Sequence, residues 1–147
     1  MTTYSQFKTN RELETKGVIL QIGDSDFHVR RAGGGNRAYS TTFAEKTKPF
    51  QRQISLGTLP DEKALDIMLE TYWDSVMLGW SNVTDEEGNV LEYTKENFKK
   101  VMTDLPELWN ALRDEAGEAR NFQDEQAKTD GEQLGKSLSG SSSGETN

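Results

Sequence analysis

An apolar stripe from Leu65 to Val76 constrains this chain more than any other feature. Leu65, Met68, Leu69, Tyr72, Trp73 and Val76 recur at i, i+3, i+4, i+7, i+8 and i+11, the spacing of one helical face. Glu62, Asp66, Glu70 and Asp74 recur at every fourth position on the side left for solvent. The pattern predicts a helix that starts at Thr58-Leu59-Pro60-Asp61 and ends at Gly79. Such a helix cannot offset the entropy of ordering its own residues by burying its stripe alone, so it requires packed neighbours.

Two later segments supply them. Thr94 is placed to cap a helix whose inner face is Phe98, Val101, Met102 and Leu105. Pro106 breaks that helix and suits the first position of the next, with Asp104 nearby to cap it. Leu108, Trp109, Leu112 and Ala116 then carry the stripe onward. Upstream, Gly17-Val18-Ile19-Leu20-Gln21-Ile22 reads as a strand, Gly23-Asp24-Ser25-Asp26 as a turn and Phe27-His28-Val29-Arg30-Arg31 as a second strand. Alternation puts Phe27, Val29 and Arg31 on one face of that hairpin. Asn36 is a candidate N-cap for a short helix through Lys46, stopped ahead of Pro49. A second hairpin is expected from Ser81-Asn82-Val83 and Val90-Leu91-Glu92-Tyr93, joined by Asp85-Glu86-Glu87-Gly88-Asn89. The expected fold is α+β: a small, mainly helical domain with β-hairpin segments at its edge. Residues 1–16 are expected to be loosely ordered, 17–122 to form the single domain, and 123–147 to be a disordered acidic tail rich in Gly and Ser.

Composition narrows the chemistry. A chain of 147 residues, 33% of them hydrophobic, suits one domain with one core. It has no cysteine, which excludes disulfides, thiolate zinc sites and cysteine nucleophiles. His28 is its single histidine, so no site can use two imidazoles. Apolar runs reach three residues, against the roughly 20 of a membrane helix, and no secretory signal is visible. A soluble intracellular protein without membrane contact is expected. Residues 1–53 hold nine Lys/Arg against five Asp/Glu, a net +4; residues 54–147 hold eight against twenty, a net −12. A nucleic-acid partner reading the Arg30–Arg52 stretch is disfavoured by that acidic remainder.

No catalytic, cofactor or metal constellation emerges. Gly135-Lys136-Ser137 looks like the end of a phosphate-binding loop, but Asp130 stands where the motif needs glycine. Residues 85–89 lack the alternating ligands of a calcium loop. Gly33-Gly34-Gly35-Asn36-Arg37 is more informative. It reads first as a sharp strand-to-helix turn, then as a contact for a partner's carboxylate, and last as a phosphate nest aided by Arg30, Arg31 and Arg37.

The run from Phe27 to Tyr39, the acidic amphipathic helix closing on Gly79-Trp80, Asp85-Glu86-Glu87-Gly88, Tyr93-Thr94-Lys95-Glu96-Asn97 and the Leu105-Pro106 break together resemble the tail assembly chaperones of long-tailed bacteriophages. The likeness covers Phe27 to Phe122. It implies a non-enzymatic protein of the host bacterial cytoplasm that binds the tape measure protein, assists tail tube polymerisation around it and is not retained in the virion. It also implies a longer product made by a −1 ribosomal frameshift, for which Leu134-Gly135-Lys136 permits a slippery heptamer. The competing reading is a minor structural tail or head-completion protein of the virion. For partner binding the candidates are Arg31, Gly33, Gly34, Asn36, Arg37 and Trp80. Trp73 and Trp109 fall on inner stripes, whereas Trp80 is the expected exposed anchor.

Overall fold

In the computed structural model, which describes residues 3–124, the first strand-forming run pairs as the sequence predicts. Strand β1 (Val18–Ile22) turns into β2 (Ser25–Val29), with Ile22 opposite Ser25 and Val18 opposite Val29. The loop is therefore Gly23-Asp24 alone, shorter than the four-residue turn expected. Gly23 takes φ +61°, as the first position of a two-residue hairpin loop demands. Ser25 and Asp26 belong to the strand.

The third strand is a correction. The long helix, α5 (Asp61–Ser75), stops before Gly79, and Met77–Ser81 forms β3 against β2 in an antiparallel sheet ordered β1-β2-β3. Met77 and Leu78 favour helix by local propensity, Trp80 favours strand, and Gly79 weakens both. The exposed edge of β2 decides the outcome by offering backbone partners: Gly79 pairs with His28 and Trp80 with Phe27. Trp80 consequently shares a face with buried Phe27, 6.4 Å away edge-to-face, and is half-buried rather than the exposed anchor expected.

The remaining elements are α1 (Thr3–Phe7), α2 (Arg11–Lys16), α3 (Arg37–Thr47), α4 (Gln51–Leu56), α6 (Lys95–Asp104) and α7 (Pro106–Gly117), with 3-10 turns at Lys48–Phe50 and Ala119–Phe122. Helix α3 ends at Thr47, ahead of Pro49 as expected. Pro49 sits in the first turn of the 3-10 segment that follows, where no backbone N–H is required, and α4 comes directly after it. Thr94 caps α6 as expected, its Oγ1 accepting from Asn97 N–H at 3.1 Å. Pro106 opens α7, and the preceding cap position is held by Leu105 with no side-chain bond, so Asp104 does not cap it.

The core lies between the inner sheet face and α5, α6 and α7. Phe27, Val29, Val76, Phe98, Leu112 and Phe122 are fully enclosed. Helix α5 buries more than its stripe, because α3 packs along one flank and Tyr39 meets Tyr72 edge-to-face at 5.8 Å. Thr71 and Ser75 are buried there, each hydroxyl satisfied by donating to the carbonyl four residues back.

Residues 3–16, expected to be loosely ordered, hold two short helices. Asn10 Oδ1 caps α2 by accepting from the N–H groups of Glu12 and Leu13, and Asn10 N–H donates to the Phe122 carbonyl at 2.7 Å. Gln123, placed in the tail by sequence, is buried and its Nε2 donates to the Gln6 carbonyl. Residues 125–147, with Leu134, Gly135 and Lys136, lie outside the described residues.

Candidate functional site

The glycine loop turns inward. Arg31 leaves β2 towards α2, and its Nη1 donates to Glu14 Oε2 at 2.6 Å; Thr9 Oγ1 donates to the other carboxylate oxygen. Glu14 is 1% exposed. Gly34, at φ +53°, lies so close to this pair that a Cβ would collide with the Glu14 carboxylate and the Arg31 guanidinium. Gly33, at φ +128°, sets the preceding bend. Asn36 precedes α3 without capping it. Its buried amide donates to the carbonyls of Arg31 and Ser75, both at 2.9 Å, fastening the loop to the end of α5. Arg31 and Gly34 thus lie against a carboxylate, but it is the chain's own; Gly33 and Asn36 shape and fasten the loop without touching it. Arg37, exposed at the start of α3, stands apart from the pair.

An open concavity lies elsewhere. A groove of about 450 Å³ runs between the Asp85–Asn89 loop and α6. Leu91, Val101 and Leu105 supply its apolar surface; Asp85, Glu86, Glu87 and Asp104 supply carboxylates, with Lys100 and Asn97 on the helix side. The loop wall is shaped by Asp85 Oδ1, which accepts from the N–H groups of Glu87 and Asn89 at 3.0 and 2.8 Å. Those bonds, led by that from Asn89, hold the Asp85 carboxyl below the ordinary carboxylate range. The expected hairpin is reduced to one bridge, Thr84 to Val90, plus Leu91 N–H to the Val83 carbonyl. Trp80 backs this wall: its indole Nε1 donates to the Leu91 carbonyl at 3.0 Å and its ring meets Tyr93 edge-to-face.

Sequence reasoning missed the groove because it read residues 85–89 only as a turn and put Leu105 on an inner face. Leu105 is 51% exposed. The available signal was Pro106: a residue ahead of proline is driven out of the α region, and Leu105, at φ −122° and ψ 75°, leaves the stripe for that reason.

The acidic row of α5 is also not a free solvent face. Lysines from both flanks clamp it: Lys46 of α3 reaches Asp74 at 2.8 Å, Lys95 of α6 reaches Glu70 at 2.7 Å, and Lys99 bridges Glu70 and Asp66. Partial burial pushes the Glu70 carboxyl up, but the hydrogen bonds and charges of Lys95 and Lys99 outweigh it and bring it to about 2 from the ordinary 4.5. A carboxyl lowered by folding stabilises the fold fully above pH 4.5, and that contribution is lost as pH falls from about 4.5 towards 2. Glu70→Gln should therefore cost about 1–2 kcal/mol at pH 7 after allowance for solvent screening. Its deficit relative to wild type should shrink by pH 3 in urea titrations; an unchanged deficit would count against the charge argument.

Among the described residues, no cluster of His, Cys, Asp and Glu is arranged to hold a metal ion, and no helix is long and apolar enough to cross a membrane. A small α+β domain bearing an acid-rimmed apolar groove is the class these features define. Residues 34–133 match the family model described as YdaY prophage protein, more than half of the chain, and the chain belongs to that phage-associated family. The match opens within the glycine loop, so β1 and β2 precede it. No curated protein and no solved structure matches the chain.

Proposed function

We propose that this prophage-family protein is a tail assembly chaperone. In this reading it binds the tape measure protein, assists polymerisation of the tail tube protein around it in the host bacterial cytoplasm, and leaves before the virion is complete. The observation that carries the reading is the groove between the Asp85–Asn89 loop and α6, an apolar floor within a charged rim. Grooves of this character hold amphipathic segments of other polypeptides, and a tape measure protein offers long helices with apolar stripes. The work is binding, with no catalytic step, cofactor, metal, nucleic acid or membrane. The resemblance noted in the sequence supports the tail-specific role, and membership of a prophage family supports the phage setting.

Co-expression with the tape measure and tail tube proteins of the same prophage tests this directly. A stable complex with the tape measure protein is expected; failure to retain either protein would overturn the proposal. Mass spectrometry of purified particles provides the second arm. Trace amounts are expected, whereas a stoichiometric presence would make the protein a minor structural tail or head-completion component. The proposed longer product requires codons at Leu134-Gly135-Lys136 that form a slippery heptamer and an open −1 frame beyond it.

A further inference from the structure

The groove's own chemistry narrows what can occupy it. Four of its lining residues are carboxylates and one is an ammonium, and that ammonium is committed: Lys100 Nζ lies 3.0 Å from Asp104 Oδ2. Glu86 and Glu87 are exposed and make no salt bridge among the described residues. Asp85 is engaged with its own loop and stays ionised. Beneath this rim, Leu105, 51% exposed, presents apolar surface that is left open to solvent. Apolar area bordered by a net negative charge selects a partner by complementarity: the floor favours an aliphatic or aromatic side chain, and the rim repels acidic segments.

We propose that this groove takes a basic segment of a partner polypeptide, seating an apolar side chain against Leu91, Val101 and Leu105 with flanking Lys or Arg over Glu86 and Glu87. This deepens the preceding reading, since it rests on the protein holding another polypeptide, and it adds the chemistry of the segment held. The attraction is between exposed charges, so binding is weakened by added salt.

The test uses the full chain and two fluorescein-labelled 18-residue amphipathic peptides, one of Leu and Lys, the other with Glu at every Lys. Anisotropy should show saturable binding of the Lys peptide and none of the Glu peptide. The double variant Glu86→Lys/Glu87→Lys and, separately, Leu105→Asp should each weaken it about tenfold or more. All three positions are exposed, and far-UV circular dichroism of each variant verifies an intact fold. Equal binding of both peptides, unaltered binding by the variants, or no binding would overturn the proposal. So would concentration-dependent self-association that the Lys peptide fails to displace, which would assign the groove to a second copy. Repeating the tape measure co-purification with the same variants separates the two readings. Capture undiminished in the variants removes the groove chemistry and leaves the chaperone reading. Groove-dependent peptide binding without tape measure capture does the reverse.

Discussion

Replacing Glu14 by Ala should destabilise the domain by about 3–5 kcal/mol, a large share of the stability of a domain this size. The carboxylate is 1% exposed and the Arg31 side chain 17% exposed, at 2.6 Å from one another. Removing the carboxylate leaves a largely buried guanidinium without a counter-charge, and Arg31 Nε already lacks a hydrogen-bond partner among the described residues. The damage should also be local. Arg31 N–H donates to the Glu14 carbonyl and Arg30 Nε to the Thr15 carbonyl, so α2 is tied to the end of β2 at this point. Urea titration measures the first effect; amide exchange across residues 9–17 should rise with it. A loss below about 1 kcal/mol would show that solvent already screens the pair. Replacing both residues by Met should recover most of the deficit, because removal of a whole buried pair is far less costly than removal of half of it.

Phe98→Ala should cost a similar 3–5 kcal/mol by a different route. Phe98 is fully buried where α5, α6 and α7 meet, 5.8 Å from the Trp73 ring and 6.3 Å from that of Trp109. Its loss removes both the transferred apolar area and the aromatic contacts, and leaves a cavity that three helices cannot close together. Thermal unfolding followed by near-ultraviolet circular dichroism is the direct measure, since both tryptophans report on that site. Phe98→Leu should recover more than half of the loss. Leu105→Ala, seven residues along the same run but half-exposed, should cost less than about 0.5 kcal/mol. If the two alanine variants were equally damaging, the placement of Phe98 inside the core and Leu105 outside it would be wrong.

Sequence pattern made the periodic elements legible. The hairpin of β1 and β2, the capped start of α6, the proline start of α7 and the burial of Phe98, Trp109 and Leu112 follow from residue spacing, because a repeat of two or 3.6 residues is a property of the local chain. The candidate site was far less legible. Arg31, Gly33, Gly34 and Asn36 read first as a sharp strand-to-helix turn and second as a contact for a partner's carboxylate; the chain does turn there, and the carboxylate that Arg31 meets is internal. Pattern alone could not say that the carboxylate is Glu14, which sits in a six-residue helix too short to show a period. Trp80 was read as the residue after a helix, although β2 draws it into a strand and makes it the support of a groove wall.

The amino-acid order thus determined by itself the β1–β2 hairpin, the helical runs of α3, α5, α6 and α7, most of the side chains that face inward along them, and the small α+β class. Tertiary structure alone decided that Met77–Ser81 is a strand, that the glycine loop's anion partner is internal, and that the open acidic surface is a groove between a loop and a helix. The division has a simple cause: periodicity and caps act over a few neighbouring residues, whereas a third strand, a buried ion pair and a groove exist only once segments distant in the chain have met.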